Sequence, residues 1–360
     1  MFYLAIDQHA KQLTVNLRNE SGTVVLRRQV STRPEAVRAF FTDLSGRTQG
    51  EGYVAIVEVC GFNDWLLKFL PEYGCRETVL VQAPRPTKHK TDRRDANQLG
   101  ELLWINRHRL AAGERLQDLR RVAPPSAEDA AARQLTSLRQ RLGAERTRAQ
   151  NRAAALVRKH NLQHACPTKG FNTVAAHRWM AQLPLDEIDR LELDLVSARW
   201  KLLDEQLAAV NAKISDLRAS HPTAALVSTV PGLRGYGGLA IASRVGDIRR
   251  FATPGSLANY WGLTPSCRNS GSATRRLGSI TKEGSALVRF LLGQAVLHVL
   301  KRDSAMQAWY RRVKARRGSK VARTAVMRRI AVILWHMLKY QEPYHAGGLR
   351  RRRAPVAGGA

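Results

Sequence analysis

The chain predicts an α/β unit followed by an all-α remainder, and three observations carry that expectation. From residue 1 to about 110, short apolar runs alternate with amphipathic segments. From about 127 to 219, glycine and proline become sparse and apolar residues take up heptad spacing. From about 222 onward, longer apolar stretches are separated by turns that carry glycine and proline.

The first elements follow from pattern and boundary residues. Phe2 to Ile6, Leu13 to Leu17 and Thr23 to Val30 read as a meander of strands, and Pro34 to Leu44 as a helix. Strand Tyr53 to Val57, helix Asn63 to Tyr73, strand Thr78 to Val81 and helix Asp95 to Trp104 follow. Three antiparallel strands and then strand–helix alternation give a mixed sheet with helices on its faces, the order of a ribonuclease-H-like fold.

In the middle region, Leu135, Leu138, Leu142, Ala149 and Leu156 form one stripe. Ile188, Leu191, Leu195, Ala198 and Leu202 form another, which resumes one residue later as Leu203, Leu207, Val210, Ile214 and Leu217. Two long helices are expected, as an antiparallel pair or an oligomerisation arm, joined through a loop at about 161 to 185. Trp179 and Trp200 are either helix-interface packing or stacking platforms for bases. Further on, Val227 to Gly235 reads as the turn of a helix-hairpin-helix or as a plain helical connection, and a helix from about Gly238 to Val245 follows it. Helices at about 283 to 303 and 304 to 340 carry a basic face with Arg311, Arg312, Lys314, Arg316, Arg317 and Lys320. The tail with Arg350 to Arg353 is expected to be disordered until it meets an anion. The resulting division is 1–115, 116–220, 221–345 and 346–360.

The formal net charge of +30 is far beyond what a neutral substrate requires and points to a polyanionic partner. Cys60, Cys75, Cys166 and Cys267 have no zinc-type spacing and are expected as free thiols in a reducing compartment. No secretion signal is visible at the N-terminus. The most apolar stretches, around Ala286 to Leu300 and Ala331 to Leu338, are short and broken by Arg289, His298 and His336, so they read as core helices and no membrane partner is expected.

Two constellations carry chemistry. Asp7 and Glu58 follow apolar strands, and Asp92 and Asp95 share one face of a helix start at i, i+3. Carboxylates that converge need a cation, and hard oxygen ligands suit Mg2+ or Mn2+. Each acid alone also fits a helix cap or a strand end. The second constellation is Tyr260 to Gly284, a stretch of hydroxyls, glycines and cations with no His or Asp close by for a hydrolase triad. Arg268, Arg275, Arg276 and Lys282 are placed to neutralise a phosphodiester that a serine attacks, or to grip phosphates with no chemistry at all.

Taken together, Asp7 with Lys11, Glu58-Val59-Cys60-Gly61, Lys90-Thr91-Asp92-Arg93-Arg94-Asp95-Ala96, Val230-Pro231-Gly232, Gly262-Leu263-Thr264-Pro265, Ser270-Gly271 and Lys282-Glu283-Gly284 resemble the DEDD transposases of insertion sequences, whose members act as bridge-RNA-guided recombinases. The likeness runs in order from residue 2 to about 300. It departs at Val59-Cys60, where a small residue and Thr or Ser are more usual. The resemblance implies a RuvC-like domain in which Asp7, Glu58, Asp92 and Asp95 hold Mg2+. It also implies a coiled-coil arm and a C-terminal transposase domain whose nucleophile falls on Ser270, with Ser266 and Ser272 as rivals. Donor and target DNA, a guide RNA, a homodimer assembling to a tetramer, and a bacterial cytoplasm at the nucleoid follow from the same likeness. Two other classes remain open from the residues: a metal-only nuclease or junction resolvase, and a non-catalytic RNA- or DNA-binding protein.

Overall fold

The structure, a computed structural model, describes residues 1–48, 50–82, 92–267 and 277–347, with the backbone alone for residues 92–94, 267 and 277. Ser270, Ser272, Arg268, Arg275, Arg276 and the Arg350 to Arg353 tail lie outside the described residues, as does the side chain of Asp92. The chain divides into two compact units, Met1–Pro124 and Pro125–Ala360.

The first unit is a six-stranded mixed sheet. In chain order it contains β1 (Phe2–Gln8), β2 (Gln12–Arg18), β3 (Val24–Ser31), α1 (Pro34–Arg47), β4 (Tyr53–Glu58), α2 (Asp64–Phe69), β5 (Cys75–Gln82), α3 (Asp92–Ile105), α4 (Arg107–Ala111) and β6 (Arg120–Arg121). The spatial order is β3-β2-β1-β4-β5-β6. β1, β2 and β3 pair antiparallel, β1–β4 and β4–β5 pair parallel, and β6 returns antiparallel. The meander and the two parallel crossovers expected from the sequence are all present. The third helix begins earlier than expected, so Asp92 and Asp95 both belong to its first turn.

Strand alternation gives the sheet two faces. Leu4, Ile6, Leu13, Val15, Leu17 and Val57 pack with Phe40, Phe41 and Leu44 of α1 and Leu66 of α2. Tyr3, Ala5, Ile56, Val79 and Val81 pack with Leu99 and Leu103 of α3. Burial on both faces explains why β1 and β4 read as unbroken apolar runs.

The second unit is mainly helical: α5 (Ala127–Lys159), α6 (Val174–Ala181), α7 (Glu187–Ser220), α8 (Pro222–Val227), α9 (Tyr236–Val245), α10 (Pro254–Tyr260), a ribbon of β7 (Pro265–Cys267) and β8 (Leu277–Ile280), α11 (Ala286–Arg302) and α12 (Ser304–Tyr340). α5 and α7, of 33 and 34 residues, lie antiparallel. Arg139 Nε donates to Asn211 Oδ1 at 3.2 Å, Arg146 pairs with Asp204, and Lys159 Nζ meets Asp189 at 2.5 Å. Their seam uses Ala149, Ala153, Leu156 and Val157 against Leu193, Trp200 and Leu203. Trp200 is therefore interface packing, fully buried with its ring edge-on to His177.

The expected stripe of Ile188, Leu191, Leu195 and Leu202 is not this seam; all four side chains are exposed. The seam runs instead through Asp189, Leu193 and Trp200, on nearly the opposite face of the helix, and continues into Leu203, Leu207 and Ile214, the resumed part of the expected stripe, which is buried. The bases of α5 and α7, through Ala132 and Ile214, join the core of α8 to α12. Gly232, at φ +88°, closes the turn before α9 where a Cβ would lie 2.9 Å from the Ala295 Cα of α11. That turn packs inward as a helical connection. Among the described residues, no helix is long and apolar enough to cross a membrane.

Candidate active site

Asp7 and Glu58 are neighbours by ladder register. β1 and β4 pair Phe2 with Tyr53 through Ile6 with Val57, and the next step of the same register sets Asp7 beside Glu58. Both fall on the α3 face, in phase with Tyr3 and Ala5 on one strand and Ile56 on the other. Asp7 is buried and lies inside β1 rather than after it; Glu58 is the last residue of β4. His9 Nε2 donates to Asp7 Oδ2 at 3.2 Å.

The direction of α3 brings Asp95 to the same edge. Asn97 Oδ1 accepts from Asn16 Nδ2 at 3.3 Å, and Asn16 pairs with Ala5 across β1–β2. Trp104, two turns later, donates from Nε1 to the Glu20 carbonyl at 3.1 Å, beyond the far end of β2. The helix thus starts at the edge where β1 and β4 end, and Ala96, Leu99 and Leu103 face the sheet. Gly100 allows this approach, since a Cβ there would meet Asn16 Oδ1 at 2.7 Å.

The loop after β4 is fastened by a residue that reads in the sequence as a helix start. Asn63 is buried, and its side chain leaves α2 uncapped. Its Nδ2 donates to Gln8 Oε1 at 2.8 Å and to the Glu58 carbonyl at 3.1 Å, while its Oδ1 accepts from the Cys60 amide. Gln8 Nε2 donates in turn to the Phe62 carbonyl at 3.0 Å. The neighbours of both strand-end acids are thereby locked together, and the departure at Val59-Cys60 leaves this clasp whole. Beside the acids, Thr14, Asn16, Arg27, Gln29 and Asn97 line a groove of about 540 Å³. Asn97 Oδ1 also accepts from Arg18 and Arg27, each at 3.2 Å. The signal for this groove was the polar Thr14 and Asn16 inside an apolar strand, which alternation alone assigns to solvent.

In the second unit, two sequence motifs twenty residues apart interlock. Gly262 has φ +64°, and a Cβ on it would stand 2.3 Å from the Glu283 amide nitrogen. Gly284 has φ +65°, and its Cβ would stand 2.1 Å from the Tyr260 carbonyl oxygen. Both positions therefore require glycine for conformation and for space. The Lys282 amide donates to the Gly262 carbonyl at 3.1 Å, with Lys282 itself at φ +57°. Arg289 Nη1 ties the pair from below, donating to the carbonyls of Trp261 at 3.2 Å, Glu283 at 2.5 Å and Gly284 at 3.3 Å. The ribbon of β7 and β8 rises from this base, and the segment 268–276 joins its strands. Ser266 Oγ donates to the Ser279 carbonyl at 3.1 Å, closing the ribbon, and the Lys282 side chain is exposed beside it.

Among the described residues, one other cluster has metal-ligand composition. Atoms of His160, Asp186 and Asp189 lie within 4.8 Å of one another at the distal end of the α5–α7 pair. Asp186 caps α7 by accepting from the Asp189 amide at 2.9 Å, and Asp189 is engaged by Lys159 at 2.5 Å and His160 at 2.6 Å. Those bonds hold the Asp189 carboxyl below the ordinary carboxylate range, Lys159 first and His160 second. The cluster is a structural clasp.

Two family models match successive parts of the chain. A family model described as a DEDD transposase of the IS110 type matches residues 4–161, and one described as the IS116/IS110/IS902 transposase family matches residues 224–311. The chain is 26% identical over 305 residues to the transposase for insertion sequence element IS1111A of Coxiella burnetii, covering 81% of this chain and 79% of that one. It is 28% identical over 342 residues to a probable family 20 transposase of Pseudomonas aeruginosa, covering 90% and 93%. It is 31% identical over 277 residues to the putative transposase y4qE of Sinorhizobium fredii, covering 68% and 64%. With a mixed sheet that gathers acids at one edge and a helical unit bearing the second motif set, the chain belongs to the IS110 family of DEDD transposases and is a DNA transposase.

Proposed function

We propose that the protein cuts and rejoins DNA at the ends of an insertion sequence, with Ser270 as nucleophile and Asp7, Glu58, Asp92 and Asp95 as ligands of Mg2+ or Mn2+. The observation that carries this reading is the in-register placement of Asp7 and Glu58 at the strand edge where α3 begins. Carboxylates so gathered, with their neighbours fixed by Asn63, offer the hard oxygen donors a small divalent cation takes. Such a cation, when bound, stabilises charge on a transferring phosphoryl group.

The chain's own residues supply the rest. The Ser270 hydroxyl oxygen forms a bond to phosphorus, the bond to one sugar oxygen breaks, and the hydroxyl proton ends on the leaving oxygen. The phosphodiester is conserved as a phosphoserine, so rejoining to a new strand needs no nucleotide cofactor. Arg268, Arg275, Arg276 and Lys282 neutralise the phosphate oxygens. The Gly262–Gly284 interlock supports this role in that it fixes the foot of the ribbon whose strands flank Ser270 in the sequence.

Donor and target DNA are the substrates, and a guide RNA selects them. The charge of +30 supports a second polyanion beyond the duplex. The exposed Ile188, Leu191, Leu195 and Leu202, at alternating spacings of three and four with one step skipped, support a homodimer that assembles to a tetramer through α7. The second reading retains the acids and drops the serine. The longer family match lies over the acid-bearing region, and such acids suffice to activate water.

The test is strand exchange with purified protein, donor and target DNA, with or without RNA transcribed from the flanking non-coding end of the element, and with Mg2+ or EDTA. Exchange is expected only with both RNA and Mg2+. Equal exchange without RNA removes the guide, and exchange in EDTA removes the metal.

A further inference from the structure

The longest helical stretch of the chain is a hairpin. Ser304–Tyr340 contains one residue with non-helical torsions, Gly318, at φ +79° and ψ +168°. That region of backbone space is open to glycine alone. The two legs fold back on each other, since the Arg329 guanidinium stands 4.8 Å over the Trp309 ring. In a straight helix those residues would be about 30 Å apart. Midway between 309 and 329 lies the turn, so Gly318 is the apex.

The base of the hairpin is core and its tip is not. Met306, Ala322, Val326 and Ile330 are buried, whereas residues 311–321 are exposed apart from the half-buried Val313. Between 304 and 341 the chain has ten Lys and Arg and no Asp or Glu, and seven of the ten fall within 311–323. At 100° per residue, Arg311, Arg312, Lys314, Arg316 and Arg317 point around the whole circumference of the first leg. A stripe on one side suits a flat anionic surface. Charge on all sides suits a cleft with phosphates on both walls.

We infer that this hairpin tip enters the major groove of duplex DNA, with residues 311–317 between the two backbones and Lys320 and Arg323 on the phosphates of one wall. The major groove of B-form DNA is about 12 Å wide and admits one helix, while that of A-form RNA is too narrow for side chains. The tip is cationic throughout, so phosphate contacts dominate its binding and the salt dependence reports it. This inference rests on the reading of the protein as one that acts on DNA, and it is independent of the nucleophile and the metal.

Its test is equilibrium binding of the full chain to a 30-base-pair DNA duplex, about three helical turns, and to an RNA duplex of the same sequence, in EDTA across a salt series. Arg316→Gln/Arg317→Gln/Lys320→Gln, all at exposed positions, is expected to lower the salt slope on DNA by about 2.7, because each phosphate left without its cation removes about 0.9. The slope on RNA is expected to stay near that of the unaltered protein. Gly318→Ala retains every charge and is expected to weaken DNA binding several-fold by misdirecting the tip. An unchanged DNA slope in the triple variant, or an equal fall on RNA, overturns the assignment; normal DNA binding by Gly318→Ala overturns the role of the turn. Because no divalent metal is present, failure of the serine or metal chemistry leaves these outcomes readable, and a normal slope in a strand-exchanging protein sinks this inference alone.

Discussion

In the first unit, Asp7 and Glu58 stand side by side because β1 and β4 share a hydrogen-bond register, so the ladder that forms the sheet also positions the acids. In the second unit, the ribbon of β7 and β8 rises from a base made by backbone touching backbone, where Gly262 meets Glu283 and Gly284 meets Tyr260. The first arrangement depends on side-chain identity at fixed strand positions. The second depends on the absence of side chains, and a single methyl group disturbs it. The contrast teaches that one region is set by the side chains its strands carry, and the other by the side chains its glycines lack.

Removing chemistry without touching the scaffold sharpens this comparison most. Ser270→Ala and Asp95→Asn are each expected to lower strand exchange by about a thousandfold or more, with unchanged melting. Single-turnover kinetics and thermal unfolding check the pair. In the scaffold itself, Gly262→Ala is expected to cost about 2 to 5 kcal/mol, since it combines a left-handed φ with overlap onto Glu283. Denaturant titration reads that cost, and activity should fall with it.

Other substitutions separate packing from assembly and from fine positioning. Trp200→Ala empties a buried site in the α5–α7 seam and is expected to cost about 3 to 5 kcal/mol, whereas Leu195→Ala should stay within about 0.5 kcal/mol while lowering the molecular mass seen by light scattering. Asn63→Ala removes the clasp between Gln8 and the Glu58 loop and is expected to cost about 1 to 3 kcal/mol. The smallest effect is one of pH. The Asp189 carboxyl lies below its ordinary value near 3.9, so its contribution is present above that pH and is lost as pH falls through the lower folded value. Hydrogen-exchange protection at the distal end of α5 and α7, corrected for the intrinsic pH dependence of amide exchange, should therefore be flat from about pH 5 to 8 and fall below about 4. Asp189→Asn should abolish that dependence.

Much of the acid edge was legible in the sequence, because buried parallel strands declare themselves as apolar runs and an acid at the end of each is conspicuous. Asn63 and Asn97 were not. Asn63 stands where a helix cap is expected and spends its side chain on Gln8 and Glu58; Asn97 becomes a hub only once α3 lies across β2. The two long helices were legible from their spacing, and the resumed stripe of Leu203, Leu207 and Ile214 is buried, but the first part of the α7 stripe was placed on the wrong face. Leucine periodicity marks Ile188, Leu191 and Leu195, while the pair buries Asp189 and Trp200, one held by Lys159 and the other packed edge-on to His177. The glycine interlock was hidden for a different reason. Backbones that touch leave only the glycines as a trace, and no periodicity links residue 262 to residue 284.

The central claim is tested most directly by trapping the cleavage product on a DNA substrate nicked so that religation is impossible, followed by denaturing electrophoresis and mass spectrometry of the protein. A covalent protein–DNA adduct that maps to Ser270, forms only with divalent metal and is absent from Ser270→Ala is the predicted result. Cleavage at the normal rate by Ser270→Ala, with no adduct in either protein, would contradict it and assign the cut to water activated at the acids.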